Sequence, residues 1–253
     1  MKKLIVANWK MHFNPHETEL LIHKLNKAEI ASNIEAVLCP PFIDLQSAAR
    51  AIDPKKYKLG AQNAHQVDEG TFTGEVSAAM LRGLVDYVII GHSERRQNFY
   101  ETDAIVADKL AAVIRSGLMP ILCVGENLDE RHNDLSVRIV LDQLHANLRN
   151  LSAEDMKGLV IAYEPIWALS DGHGNSTHAK PEDVDFVFAA IRRSIEEMFG
   201  EDISASLRLL YGGSADPEHC AMYLSIDGVD GLLVGGASLI APKFLDILEA
   251  SSK

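Results

Sequence analysis

The chain has 253 residues, 47% of them hydrophobic and 24% charged, which supplies a substantial core and excludes a disordered chain or a coiled coil. A formal net charge of −12 argues against a nucleic-acid partner, and an anionic ligand must be drawn by local positive groups. Three widely spaced cysteines, Cys39, Cys123 and Cys220, make no metal-binding pattern and are expected as buried thiols in a reducing compartment.

The first apolar run, Leu4–Ala7, is too short for a secretion signal. The longest uncharged stretch, 231–242, is too short and glycine-rich to span a bilayer. A cytoplasmic protein with no membrane partner is therefore expected. Leu4–Ala7 reads as a strand, and Glu17–Ala31, after Pro15, as an amphipathic helix. Strands follow at Ala36–Cys39 and Tyr57–Ala61. Ala64–Glu75 reads as a long loop without clear secondary structure, of the kind that is usually functional or disordered. Strand Tyr87–Ile90 precedes helix Thr102–Ser116, which Gly117 closes. Strand Met119–Val124 leads to helix Asp134–Asn150, and strand Val160–Tyr163 to helix Pro181–Phe199. That helix opens on a proline and two acids, which suit the first turn and the positive end of the dipole. Strand Leu207–Tyr211, helix Asp216–Leu224, strand Gly231–Val234 and helix Pro242–Ala250 complete the series.

Eight nearly all-apolar strands alternating with helices predict a closed parallel (β/α)8 barrel, the TIM-barrel architecture, as a single α/β domain over residues 1–253. An open doubly wound sheet would want a GxGxxG turn after its first strand, where this chain has Asn8-Trp9-Lys10.

Barrel enzymes carry their chemistry at the C-terminal ends of the strands. Lys10 offers a positive charge beyond the first strand. The fourth strand ends in Gly91-His92-Ser93-Glu94-Arg95-Arg96. Gly91 lets the chain turn, Ser93 is expected to cap a helix, and His92 at that helix N-terminus is expected to stay neutral. The sixth strand ends on Glu164, held extended by Pro165. Trp167 is expected to desolvate it partly and raise its pKa. Gly212-Gly213-Ser214 and Gly235-Gly236, at the ends of the last two strands, fit a backbone phosphate cradle. No metal set and no dinucleotide fingerprint appear, so no cofactor is expected. An acid, a histidine, a lysine and a phosphate cradle fit proton transfer beside the carbonyl of a small phosphorylated molecule.

These stretches, together with Asn8-Trp9-Lys10-Met11, Ala61-Gln62-Asn63, Thr73-Gly74-Glu75, Cys123-Val124-Gly125-Glu126 and Ala162-Tyr163-Glu164-Pro165, occur in the order of the triosephosphate isomerase family, which the chain resembles over nearly its whole length. The resemblance implies interconversion of dihydroxyacetone phosphate and D-glyceraldehyde 3-phosphate, with Glu164 as base and His92 as electrophile. Lys10 and Asn8 would steady the substrate oxygens, and Glu94 and Cys123 would support the site. It also implies a homodimer, in which Thr73 and Gly74 reach toward the partner's site and Arg95 meets Glu75 of the other subunit. Pro165, Ile166 and Trp167 would be the first hinge of a lid over the site.

The lid tip departs from the family. Ser170 stands where a glycine amide usually contacts phosphate, Asp171 adds a negative charge, and Thr177-His178-Ala179 replaces the second hinge. His12 stands where the family usually has asparagine. A carboxylate roughly 6 Å from a phosphate charge costs on the order of 3 kcal/mol at an effective dielectric near 20, so either Asp171 points outward or lid closure is weakened. The histidines His173 and His178 with Asp171 make a poor metal set, and a solvated polar tip is expected instead. The alternative reading is a weak isomerase, or a phosphate-binding barrel of other function, with an altered lid at 170–178.

Overall fold

The structure, a computed structural model, describes residues 1–169 and 177–253. Eight strands close into one parallel barrel in sequence order: β1 (Lys3–Asn8), β2 (Ile34–Cys39), β3 (Tyr57–Ala61), β4 (Tyr87–Ile90), β5 (Met119–Val124), β6 (Val160–Tyr163), β7 (Arg208–Tyr211) and β8 (Gly231–Val234). Closure is made by β1 against β8, with Leu4 beside Gly231 and Ala7 beside Val234. Each strand is one of the predicted apolar runs, with bounds shifted by up to two residues.

Around the barrel run α1 (Pro15–Leu25), α2 (Leu45–Ala51), α3 (Ser93–Asn98), α4 (Asp103–Arg115), α5 (Leu128–His132), α6 (Ser136–Leu148), α7 (Pro181–Phe199), α8 (Glu201–Ser206), α9 (Cys220–Leu224) and α10 (Ala241–Ala250). Three of these, α2, α5 and α8, are too short to show a 3.6-residue period and were not legible as helices. Predicted helix Glu17–Ala31 ends early, at Leu25. There the Asn26 amide leaves the helix to donate to Ala51 O and to accept from Asp53 N–H. Predicted helix Asp134–Asn150 starts late because Asp134 takes a left-handed φ of 57°. The segment before it is a separate turn, α5, which Asn127 and Glu130 close with a capping box.

Strand alternation divides the core in two. Leu4, Val6, Val37, Ile89, Ile121, Val160 and Leu210 fill the barrel, while Ile5, Leu38, Val88, Leu122, Ile161 and Leu209 face the helices. The N-terminal mouth is closed by a polar network. Arg208 donates to Glu35 Oε2 at 2.9 Å and to the Tyr87 hydroxyl at 2.7 Å. Tyr87 donates to Glu35 Oε1 at 2.6 Å, and Lys58 reaches the same oxygen at 2.9 Å. The C-terminal mouth, where β1, β4, β6, β7 and β8 end, is left to the candidate site. The loop at 64–75 is less irregular than expected, because His65 bridges to Ser77 and its N–H donates to Val76 O at 2.8 Å.

Candidate active site

β1 brings Asn8 to the mouth, and the next turn is strained, since Lys10 sits at φ +52°. The turn is pinned on both sides. The Lys10 N–H donates to Asn8 Oδ1 at 3.1 Å, and Gln62 Nε2 donates to both Lys10 O and Cys39 O at 2.8 Å. The ammonium thus aimed inward donates to Glu94 Oε1 at 2.7 Å.

Gly91, at φ +71°, turns the chain out of β4 so that His92 falls at the cap of α3. His92, not Ser93, is the capping residue. The helix begins at Ser93, one position earlier than expected, and the Glu94 N–H donates to His92 Nδ1 at 3.2 Å. An amide aimed at Nδ1 leaves that nitrogen's lone pair as acceptor and places the ring proton on Nε2. Nε2 lies 3.0 Å from Glu164 Oε1. The other oxygen, Oε2, accepts the Ser93 N–H at 3.0 Å.

Glu164 closes β6 and is 2% exposed, so its charge stands on few groups. The expected upward pKa shift is not found. Burial, the largest influence, does raise it, but His92, the Ser93 N–H and Lys10 together outweigh burial and hold the carboxylate below its ordinary value. The Trp167 indole donates to Glu126 Oε1 at 2.8 Å, with the Arg131 guanidinium over its ring at 3.9 Å. Burial is also the largest influence on His92 and disfavours its charge, but the Glu164 and Glu94 carboxylates raise its pKa in this arrangement. Both shifts depend on Glu164 resting against His92.

Cys123 is fully buried against Glu164. Burial first, then the carboxylate, pushes its thiol well above the ordinary range, so it packs and does not ionise. Cys39 and Cys220 are likewise free and buried.

The cavity in front of these groups, of about 470 Å³, is lined by Asn8, Lys10, His92 and Glu164 on one side and by Gly212, Gly213, Ser214, Gly235 and Gly236 on the other. His12, Leu169 and Asp216 also line it. Gly212 is required by close approach, since a Cβ there would lie 2.9 Å from Glu164 Cγ and 3.2 Å from Tyr163 O. The Ser214 N–H donates to Ala168 O at 3.0 Å, which ties the loop after β7 to the short helix Ile166–Ala168 that follows Pro165. Ser170 and Asp171, expected at the lid tip, lie outside the described residues, as does His173.

Thr73, Gly74 and Glu75 are exposed. Arg95 is paired within its own chain with Glu101 and lies over the Phe99 ring at 4.6 Å.

Two residues were missed as site residues. Gln62, one position past β3, fixes the Lys10 turn. Glu126, two positions past β5 and fully buried, receives both Trp167 Nε1 and the Tyr163 hydroxyl. Both are polar residues just beyond an apolar strand, the signal that singled out Glu164.

The family model for triosephosphate isomerase matches residues 3–251. Triosephosphate isomerase of Alkaliphilus metalliredigens is 44% identical over 98% of both chains, and that of Caldanaerobacter subterraneus subsp. tengcongensis 42% identical over the same shares. That of Clostridium tetani is 44% identical over 98% of this chain and 96% of its own.

Proposed function

The chain belongs to the triosephosphate isomerase family and is an aldose–ketose isomerase, and we propose that it interconverts dihydroxyacetone phosphate and D-glyceraldehyde 3-phosphate by cofactor-free proton transfer through Glu164 and His92. The observation that carries the residue roles is the placement of His92, whose Nδ1 accepts the Glu94 N–H and whose Nε2 lies 3.0 Å from Glu164 Oε1. Breadth of family match disfavours the alternative of a phosphate-binding barrel of other function.

In this reading Glu164 leaves His92 and the Ser93 N–H for the substrate's carbon-bound proton. Losing those partners removes most of what depressed its pKa, leaving Lys10, and burial then makes it a stronger base. The carbonyl oxygen takes up negative charge as the enediolate forms. His92 Nε2–H donates to it, and Lys10 and Asn8 stabilise it in a pocket of low dielectric. His92 then moves a proton between the two oxygens, and Glu164 returns its proton to the neighbouring carbon. The glycine-lined loops after β7 and β8 hold the phosphate. Pro165, Ile166 and Trp167 hinge a lid that excludes water, with Trp167 held between Glu126 and Arg131.

The active form is a homodimer. Large apolar side chains left exposed, Met11, Ile43, Phe72, Met80, Phe99 and Tyr100, come from the segments after β1 to β4, four adjacent strands of the barrel. Thr73, Gly74 and Glu75 lie on the same side, and Arg95 contributes from α3. The whole chain, residues 1–253, acts as one catalytic unit in the cytoplasm. No helix among the described residues is long and apolar enough to cross a membrane.

The test is isomerisation run in deuterated water. Product is expected to carry solvent deuterium on the carbon that received the proton. Product free of solvent label at every stage of conversion would mean direct hydride transfer and would overturn the Glu164 shuttle.

A further inference from the structure

Among the described residues one group of three metal-type side chains converges, and it lies outside the catalytic set. His178, Asp216 and His219 bring one donor atom each to within 4.8 Å of one another. The sequence grouped His178 with Asp171 and His173. The structure places it beside the segment that follows the phosphate-loop residues of β7, while Asp171 and His173 lie outside the described residues. The two imidazole rings stack at 3.9 Å, 24° from parallel. Nε2 of His178 is 3.7 Å from Asp216 Oδ2, and Nδ1 of His219 is 2.8 Å from Asp216 Oδ1.

We propose that His178, Asp216 and His219 form a divalent-cation site of the Zn2+ type, which clamps the C-terminal end of the lid to the loop after β7. Two imidazole nitrogens and a carboxylate oxygen are a preferred donor set for that ion, with a water in the fourth position. Donors at bonds of about 2.0–2.2 Å around a tetrahedral ion stand roughly 3.3 Å apart. The donors now stand within 4.8 Å of one another, with His178 and His219 against different oxygens of Asp216, so side-chain rotations that bring both nitrogens and one oxygen onto the ion complete the site.

The carboxylate is already oriented. Asp216 Oδ1 accepts the Glu218 N–H at 3.0 Å and the His219 N–H at 2.9 Å, the kind of outer support that fixes a ligand before the ion arrives, and Oδ2 faces His178. Binding uses the Nδ1 lone pair of neutral His219, whose ring proton then sits on Nε2, and the cation takes the place of the hydrogen bond between Nδ1 and Asp216. The three side chains are 28–37% exposed, which leaves the ion a path in.

The site joins two parts that already touch. Next to His178, Ala179 O accepts the Tyr223 hydroxyl at 3.0 Å, and Tyr223 stacks on Tyr211 at 3.9 Å, just before Gly212 and Gly213. A cation on His178 and Asp216 adds a bond across the same seam.

The experiment titrates the metal-free full-length protein with Zn2+ by calorimetry and with Co2+ by visible absorption. The expected result is one ion per chain in the micromolar range and d–d bands of a four- or five-coordinate nitrogen–oxygen site. His178→Ala, Asp216→Ala and His219→Ala should each weaken binding by at least the roughly 10–100-fold that loss of an outer-shell partner costs. His23→Ala, on α1, should bind as the parent does. Saturating Zn2+ should lower kcat of the parent, reversibly on chelation, and leave the His178→Ala/His219→Ala double variant unaffected. Absence of binding, or undiminished binding by the double variant, would overturn the site. An unchanged kcat in the zinc-loaded parent would overturn the clamp. Isomerase activity without metal tests the catalytic roles separately.

Discussion

The two mouths of the barrel each hold a glutamate among cations and hydrogen-bond donors, yet they differ in freedom. At the N-terminal mouth Glu35 is bonded by Arg208, Lys58 and Tyr87, side chains from three other strands. Burial works against its charge, but these partners prevail and hold its pKa down at about 2. Arg208 and Glu35 are both mostly buried, so parting them would strand charge, and the arrangement is structural, as expected of that face of the barrel. At the C-terminal mouth Glu164 is more deeply buried, yet its partners, His92 and one backbone N–H, are groups a substrate can replace. In the proposed mechanism similar chemistry serves as a fastener at one mouth and as a base at the other, where the partners are exchangeable.

The largest expected effect is at the C-terminal mouth. Glu164→Gln keeps the side-chain shape and removes the base, so kcat should fall by about 10²–10⁴-fold or more, the range for general-base catalysis, as measured in a coupled assay from glyceraldehyde 3-phosphate. Lys10→Met should follow with a loss of roughly 10²–10³-fold in kcat, since one stabiliser of the developing oxyanion is gone while the fold is kept.

The N-terminal mouth answers in stability. Glu35→Gln leaves Arg208 and Lys58 short of a counter-charge, and unfolding by denaturant should show a loss of about 1–3 kcal/mol at pH 7, discounted for partial exposure. The sign of the pH dependence is fixed by the depressed pKa. Glu35 contributes stability above its unfolded value near 4.5, and the contribution is lost as pH falls toward about 2. Glu35→Gln should therefore narrow its deficit across that window, and a deficit independent of pH would separate Glu35 from the charge network. The smallest effect belongs to the hinge. Trp167→Phe removes one hydrogen bond to Glu126, worth about 1 kcal/mol, and stopped-flow measurement should show a change in kcat of roughly fivefold or less.

The contrast between the mouths also marks what could be read in the sequence. The eight strands were legible because parallel strands covered on both faces are runs of apolar residues, and the closed topology followed from counting them. Glu164, His92 and Lys10 stood out because a polar residue directly after such a run has few structural reasons to be there. Glu35, Lys58 and Arg208 did not stand out, since charges near strand starts resemble surface residues until closure brings β2 and β7 across from each other. The capping role went to His92 instead of Ser93 because a helix start shifts by one residue without any change in composition. The downward shift at Glu164 could not be read either, since it depends on a contact between β6 and the end of β4.

The most direct measurement pairs kcat with the thermal midpoint in two variants, Glu164→Gln and Glu35→Gln. The expected result is a crossed pattern: turnover lost at an unchanged midpoint for Glu164→Gln, and a lowered midpoint with turnover per folded molecule intact for Glu35→Gln. Turnover retained by Glu164→Gln, or lost by fully folded Glu35→Gln, would contradict the assignment of catalysis to one mouth and fastening to the other.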